Sequence, residues 1–197
     1  MNPKTKNIIR KVIYLVLFTL MIFAFIYLAE KYKSNADDPV LTINSYYDLD
    51  YNEEKYTVIT GGQFINKIQE GKSIIFIGSK TSDWSKEFLM QIDDATKDLE
   101  IDTIYYYDLN NDKAQKNSNY YKIKELLRGS LTTTDGSRSN LLAPSFYIII
   151  DGEVKYYNVE TVAMKNTITI EEYWNEQKQI EFKTEIRNAI TKYYLNN

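Results

Sequence analysis

The segment from Ile74 to Phe88, IIFIGSKTSDWSKEF, constrains the fold more than any other part of the chain. Its apolar start predicts a buried strand, because an apolar run bounded by polar residues is typical of strands that are covered on both faces. A polar loop follows, in which Ser82 is a preferred helix N-cap and Asp83 favours the positive end of a helix. The segment therefore predicts a strand, a tight loop and a helix that packs on the sheet. The apolar face of that helix is formed by Trp84, Phe88, Leu89, Ile92, Ala95 and Leu99.

Strands and helices alternate through the rest of the chain, which predicts one α/β domain over residues 56–197, with a mixed sheet flanked by helices. The clearest hairpin joins Ser145 to Ile150 with Glu153 to Asn158, because the intervening Asp-Gly suits a two-residue turn with positive φ. This hairpin indicates an antiparallel end to the sheet. Further predictions are an edge strand at Thr57 to Ile59, a helix from its cap Thr60 to Gln69 before Gly71, a central strand at Thr103 to Leu109, a polar turn, a helix around Asn119 to Arg128, a polar loop at Leu131 to Asn140, and a C-terminal helix or helix pair that begins at a capping box, Thr169 to Glu172.

An apolar run of about eighteen residues, from Val12 to Ala29, carries no charge and is near the length that a helix needs to cross a bilayer. It predicts one transmembrane helix between a cytoplasmic tail at 1–11 and an extracytoplasmic linker at 30–55. The basic residues that precede the run keep the N-terminus in the cytoplasm and export the domain. The alternative is a cleaved signal peptide, for which Ser34-Asn35-Ala36 offers a small-x-small site. Within the linker, a short strand is predicted around Val40 to Ile43.

The chain of 197 residues has no cysteine and no histidine. This excludes thiol redox chemistry, Ser-His and Cys-His nucleophile pairs, and the zinc, haem and iron–sulfur sites that need these ligands, so no cofactor is expected. Six of the 24 basic residues but only one of the 27 acidic residues precede residue 34, which leaves the remainder with a net charge of −8. A negative charge disfavours nucleic acid and suits a basic peptide or protein, although it is usually a solubility feature.

Ser82 and Ser85 stand where thioredoxin-fold proteins carry C-x-x-C, directly after a buried strand and at the start of a helix. Ala143-Pro144-Ser145 stands directly before a strand, where these proteins have a cis proline that faces the motif loop. Over residues 56–194 the chain therefore resembles the thioredoxin-fold superfamily. With its predicted anchor, it looks most like the membrane-anchored thioredoxin-like accessory proteins of bacteriocin transport or maturation in Gram-positive bacteria, which generally carry the dithiol. Another α/β domain is the alternative on length and element order alone.

The resemblance implies a partner-binding site made of the remnant motif and the proline loop, with no catalytic residue. Redox activity is not expected, because a serine hydroxyl cannot form a disulfide. Ser82 either binds a partner backbone or only caps the helix, and Trp84 either lies at the rim or packs in the core. Pro144, if cis, would hold Ala143 where thioredoxins pair with an extended peptide. The candidate residues are Ser82, Asp83, Trp84, Ser85, Ala143, Pro144 and Ser145.

Two groups of carboxylates resemble the start of a calcium-binding loop, but neither has glycine at the sixth position or an acidic residue at the twelfth. Solvated loop residues explain both groups better, so no metal site is expected. Ser82 has Lys80 and Lys86 nearby in sequence, but such neighbours are too common to indicate a Ser-Lys dyad. The two groups are Asp48, Asp50, Asn52 and Glu54, and Asp108, Asn110 and Asp112.

Three functions are therefore compatible with the sequence. The leading hypothesis is a membrane-anchored, extracytoplasmic thioredoxin-like protein that lacks redox cysteines and acts as a binding or chaperone-like accessory, in bacteriocin export or immunity. Its partners would be membrane lipid, through Val12 to Ala29, and an exporter or a secreted peptide. The alternatives are a structural component of a membrane secretion or conjugation assembly, in which the C-terminal helix provides the interface, and an enzyme that uses hydroxyl or carboxylate groups.

Overall fold

The computed structural model describes residues 11, 13–24, 42–49, 55–133, 139–160 and 168–196. The chain divides into two units, Met1–Leu41 and Thr42–Asn197. In the first unit, residues 13–24 are helical, and their large apolar side chains are exposed. Within the described ranges, no helix is long and apolar enough to cross a membrane. The predicted transmembrane helix, Val12 to Ala29, extends into residues outside those ranges.

The second unit is built on a mixed sheet of five strands, which confirms the predicted fold class. The strand order is β1-β3-β2-β6-β7, in which β1, β3 and β2 are parallel and the other neighbours antiparallel. A separate pair of two-residue strands, β4 and β5, lies within the predicted polar loop, whose residues 134–138 are outside the described ranges. The strands are β1 (Tyr56–Ile59), β2 (Lys72–Gly78), β3 (Ile104–Asp108), β4 (Thr132–Thr133), β5 (Ser139–Asn140), β6 (Ser145–Ile150) and β7 (Glu153–Val159).

Helices flank this sheet, and the predicted order of strands, helices, proline loop and hairpin is confirmed. The Asp151-Gly152 turn has the expected positive φ values of 55° and 74°. The C-terminal region is a helix pair followed by one π-helical turn, Thr191–Leu195. The helices are α1 (Ile43–Tyr47), α2 (Gly61–Gln69), α3 (Asp83–Thr96), α4 (Leu109–Gln115), α5 (Ser118–Leu126), α6 (Ile170–Tyr173) and α7 (Glu176–Ile190), with a 3₁₀ turn at Arg128–Ser130.

Strand β2 separates two apolar cores, because successive side chains of a strand point to opposite faces. On one face, Ile74 and Phe76 lie in a cluster with side chains of α1, α3 and α7. On the other face, Ile75 and Ile77 lie in a cluster with side chains of α2 and α5. All four side chains are fully buried, which explains why this strand reads as a continuous apolar run.

Two elements correct the sequence-based expectations. Helix α1 occupies Ile43–Tyr47, at the end of the short strand predicted around Val40 to Ile43, whose residues 40 and 41 lie outside the described ranges. It forms because Thr42 caps it and because Ile43 and Tyr47, one turn apart, are both buried in the core. Helix α4 replaces the predicted polar turn after β3, since the side chain of Asp108 caps its first turn.

The first residue of α2 must be glycine, because a Cβ at Gly61 would lie 2.0 Å from Oδ2 of Asp112. Hydrogen bonds from Tyr107 and Asn117 hold this carboxylate in place. Gly61→Ala should therefore lower the free energy of unfolding by about 1–3 kcal/mol. Gly62→Ala is the matched control: no atom lies within 4 Å of its added Cβ, so alanine should stabilise the helix by about 0.5–1 kcal/mol. Urea unfolding of the full chain measures both, and equal responses of the two variants would contradict the close approach.

Candidate functional site

The motif loop and the proline loop leave the sheet at the same edge. Gly78, the last residue of β2, is in register with Asp108, the last residue of β3. Ile77 is in register with Ser145, the first residue of the antiparallel strand β6. The register therefore brings the loop that leads to Ser82 next to the turn that ends in Ser145. This edge, where two parallel strands end, is where ligands bind in open α/β sheets.

Ser82 is the N-cap of α3, as the sequence predicts. Its Oγ accepts a hydrogen bond from the backbone N–H of Ser85, with an N–O distance of 3.3 Å. Ser82 is half-buried and Asp83, in the first turn, is exposed. The Ser82 hydroxyl therefore already stabilises the helix start, and Asp83 complements the positive end of the helix.

Ser85 has a different role, because its side chain is fully buried. Its Oγ accepts a hydrogen bond of 3.1 Å from the backbone N–H of Ser79, the first residue after β2. The hydroxyl thus ties the first turn of α3 to the end of the central strand. The two serines of the motif both satisfy backbone groups of the chain itself, and this function does not require sulfur.

Two buried tyrosine hydroxyls support the same loop from the other side. The Tyr47 hydroxyl of α1 donates to the carbonyl oxygen of Ser79 at 3.1 Å and lies 2.8 Å from the Tyr106 hydroxyl. Burial raises the pKa of both hydroxyls, so both remain protonated. Gly78 leaves space for this pair, since a Cβ there would lie 2.6 Å from Cε2 of Tyr106 and 2.9 Å from the Tyr47 hydroxyl.

Asp108 places a carboxyl group at this edge, with only 2% of the residue exposed. Its Oδ1 accepts a hydrogen bond from the backbone N–H of Asn110 at 3.0 Å, whereas the buried Oδ2 has no hydrogen-bond partner among the described residues. Burial raises the pKa of Asp108, and the nearby positive charge of Lys80 acts in the opposite direction. The carboxyl group caps α4 rather than joining a set of reactive groups.

The peptide bond between Ala143 and Pro144 is cis. Pro144 is buried, and its carbonyl oxygen accepts a hydrogen bond of 3.2 Å from the backbone N–H of Glu160. The Ser145 hydroxyl donates to the carbonyl oxygen of Leu142 at 2.8 Å and is also buried. Ala143 is half-buried, and its own backbone N–H and carbonyl form no hydrogen bond with any residue that the structure describes. The turn is therefore fixed on both sides of Ala143, and no described residue uses the pairing groups of Ala143 itself.

Trp84 lies at the rim of this site, and its indole is half-buried. The Trp84 ring contacts the Tyr173 ring of α6, with a centroid distance of 5.6 Å. Both sequence-based alternatives, rim and core, therefore describe part of this residue: Trp84 begins the apolar face of α3 and is also partly exposed at the surface.

The carboxylates that resemble a calcium loop serve hydrogen bonds of the chain itself. Asp108 caps α4, and Asp112 accepts hydrogen bonds from Tyr107 and Asn117. In the described part of the chain, no group of three or more acidic, histidine or cysteine side chains could hold a metal ion. Asp50, Asn52 and Glu54 of the other group lie outside that part.

A surface depression of about 370 Å³ lies away from this edge, beside the turn of the β6–β7 hairpin. It contains none of the predicted site residues. Its lining is formed by Leu126, Leu127, Gly129, Ser130, Gly152, Glu153, Val154 and Tyr157.

The sequence did not indicate Tyr47, Tyr173 or Glu160 as neighbours of the site. The i, i+4 spacing of Ile43 and Tyr47 is a helical signal that could have suggested a packed turn before the domain. Tyr173 and Glu160 carry no local signal, because only the tertiary fold brings them to the motif and to the proline loop.

No protein-family model matches this sequence, and no curated protein is significantly similar to it. Among solved structures, the chain is similar to thioredoxin O2 from Arabidopsis thaliana in its oxidized state, with a TM-score of 0.39 and 10% identity over 59% of this chain and 91% of that one. It is also similar to a thioredoxin from Aeropyrum pernix, with a TM-score of 0.32 and 17% identity over 51% and 72% of the two chains. These likenesses are distant. The element order, the mixed sheet and the cis proline of the chain itself agree with the thioredoxin-like fold that the sequence resembles.

Removal of the Ser85 hydroxyl should destabilise the chain more than removal of the Ser82 hydroxyl. Ser85→Ala removes a fully buried hydroxyl and leaves the N–H of the half-buried Ser79 without its acceptor, which costs about 1–3 kcal/mol. Ser82→Ala removes a half-buried N-cap, which costs about 1 kcal/mol. Urea unfolding of the two variants gives the comparison, and the reverse order would mean that the buried hydroxyl does not hold the loop.

Two cysteines introduced at the positions of Ser82 and Ser85 should give the loop thiol–disulfide chemistry. In Ser82→Cys/Ser85→Cys, the two thiols lie one helical turn apart at a helix N-terminus, a position that lowers a thiol pKa. We expect this variant to form an intramolecular disulfide and to accelerate insulin reduction by dithiothreitol. The two single-cysteine variants are the matched controls. If the double variant is no faster than they are, the loop does not have the geometry of a dithiol motif.

Proposed function

We propose that this protein binds an extended segment of a partner peptide or protein at the Ala143–Pro144 turn, without thiol chemistry, as a membrane-anchored extracytoplasmic accessory. The observation that carries the proposal is the half-buried Ala143, whose backbone groups make no hydrogen bond within the described residues, beside a cis proline at the edge where β2 and β3 end. Main-chain pairing supplies affinity in such a mode, and neighbouring side chains supply selectivity.

Thioredoxin-type redox activity is excluded by the sequence, which has no cysteine. The hydroxyls that replace a dithiol are occupied by the backbone N–H groups of Ser79 and Ser85. This supports a role in which the motif loop shapes the binding site and supplies no reacting group.

Membrane anchoring is supported by the N-terminal helical residues. Residues 13–24 are almost entirely apolar, and their side chains are exposed on all sides of the helix, a pattern typical of a lipid-embedded segment. The aliphatic hydroxyl of this segment, Thr19, donates to the carbonyl oxygens of Val16 at 2.8 Å and Leu15 at 3.1 Å, so it would not enter lipid unsatisfied. The basic residues before the run favour a cytoplasmic N-terminus.

The partner class is suggested by charge. The chain after residue 33 carries a net charge of −8, which suits a basic peptide. A cationic secreted peptide or its exporter agrees with the resemblance to bacteriocin-transport accessory proteins.

The two alternatives have less support. An assembly component would be favoured by an exposed apolar stripe on the C-terminal helix, but Phe182, Ile186 and Ile190 of α7 are buried and Ile180 alone among its large apolar side chains is exposed, by 54%. A non-thiol enzyme requires several reactive groups that converge in one cleft, whereas the Asp108 carboxyl group caps α4 and Asp83 is exposed.

The test uses the full chain in lipid nanodiscs to select binders from a random peptide library. The selected peptide is then N-methylated at one position at a time. Because the N–H and carbonyl of one residue pair with a single residue of an extended strand, we expect N-methylation at one peptide position, the residue that donates to the Ala143 carbonyl, to weaken binding by about fivefold or more. N-methylation of its immediate neighbours should have little effect, because their N–H groups face away from the turn.

Two protein variants accompany this test. Ala143→Arg fills the turn and should abolish binding, whereas Met90→Arg places the same group on the exposed surface of α3 and should not. Failure to enrich any peptide over empty nanodiscs, or equal effects of N-methylation at every position of the peptide, would contradict backbone pairing.

A further inference from the structure

Glu160 is a buried carboxylate to which the proposed function assigns no role. It follows the last residue of β7, and only 5% of it is exposed. A buried charge is costly unless it is paired and hydrogen-bonded. Its contacts therefore indicate what the chain gains by placing it there.

Three contacts hold Glu160. Its backbone N–H donates to the carbonyl oxygen of Pro144 at 3.2 Å. Its carboxylate accepts a hydrogen bond from the Tyr173 hydroxyl, and its Oε1 lies 3.5 Å from Nζ of Lys178. One residue thus contacts the proline loop through its backbone and α6 and α7 through its side chain.

Tyr173 extends this contact to the motif. Its ring contacts Trp84, in the first turn of α3, and the ammonium of Lys178 lies 5.0 Å from the centre of the Tyr173 ring. Burial and the Glu160 carboxylate raise the pKa of Tyr173, so its hydroxyl stays protonated and continues to donate. A continuous path of contacts therefore runs from Pro144 through Glu160 and Tyr173 to Trp84.

We propose that Glu160 is the positioning residue of the partner-binding site and couples the proline loop to the Trp84 rim. That the site binds a peptide rests on the proposed function, whereas the coupling between the two loops does not depend on it. Both sides of the site are held in one arrangement before the partner arrives, and a preorganised site loses less conformational entropy on binding. Removing the link leaves both loops on their paired strands but releases the Trp84 rim from the proline loop.

The chain offers a matched control in the same layer. The Tyr156 hydroxyl of β7 donates to Oε1 of Glu185 in α7 at 2.6 Å, so this second Tyr–Glu pair also joins the sheet to the C-terminal helices. No contact of Tyr156 or Glu185 reaches Pro144 or Trp84 among the described residues. Tyr156 and Glu185 interact electrostatically with Glu160 and Tyr173, but Tyr156→Phe removes the same kind of hydrogen bond and leaves the contacts from Pro144 to Trp84 in place.

The experiment compares Tyr173→Phe and Glu160→Leu with Tyr156→Phe in the full chain in lipid nanodiscs. Glu160→Gln is the conservative variant, because its amide oxygen can still accept from Tyr173. Two readouts need no ligand: the ¹⁹F resonance of 5-fluorotryptophan at position 84, assigned with Trp84→Phe, and hydrogen exchange of the segment that contains the amide of residue 160. The third readout is the affinity for the library-selected peptide.

We expect Tyr173→Phe and Glu160→Leu to shift the Trp84 resonance, to accelerate exchange at residue 160 and to weaken peptide binding about fivefold or more. The peptide affinity of Glu160→Gln should remain within about twofold of that of the unmodified chain, since this variant keeps the hydrogen bond from Tyr173. Tyr156→Phe should leave all three readouts unchanged.

The inference is overturned if Tyr173→Phe behaves like Tyr156→Phe in the resonance and exchange measurements. It is also overturned if Tyr173→Phe alters the resonance and the exchange rate without weakening the binding of the peptide. If the unmodified chain selects no peptide, the proposed function fails, and the two ligand-free readouts still decide whether Glu160 couples the loops.

Discussion

The burial of strand β2 on both faces is the constraint on which the rest of the structure depends. Its four consecutive apolar side chains supply two cores, one covered by α1, α3 and α7 and the other by α2 and α5. A strand that is buried on both faces lies in the centre of a sheet, with a neighbour on each side. The neighbours of β2 are β3, which is parallel to it, and β6, which is antiparallel to it. Because those neighbours run in opposite directions, the end of β2 and the start of β6 meet at one edge, and the motif loop and the cis proline meet with them.

Most of this arrangement could be predicted from local patterns. The apolar run, the Asp-Gly turn and the capping residues Thr60, Ser82 and Thr169 each specify one element with little help from the rest of the chain. Helices α1 and α4 could not be predicted in this way, because short helices have little intrinsic stability. The first is held by burial of Ile43 and Tyr47, and the second by a cap from Asp108, a residue that reads as part of a strand.

The proximity of the motif loop and the proline loop could be predicted, but the roles of their residues could not. The sequence indicates that Ser82 caps a helix, yet only the fold shows that Ser85 is buried against the end of β2 while Ser82 is half-buried at the helix start. The supporting contacts of Glu160 and Tyr173 join segments far apart in sequence. Such pairs produce no periodic pattern in the sequence. They can be identified only from the structure, in which the fold brings the end of β7 and α6 close to the motif.

Helix α1 gives the site a mechanical property. Helix α1 (Ile43–Tyr47) is the first described element of the second unit, and its Tyr47 hydroxyl donates to the carbonyl oxygen of Ser79. A pulling force applied to the chain at Thr42 would act on this hydrogen bond before it acted on any strand of the sheet. The loop that precedes Ser82 is therefore the part of the domain that would respond first to such a force.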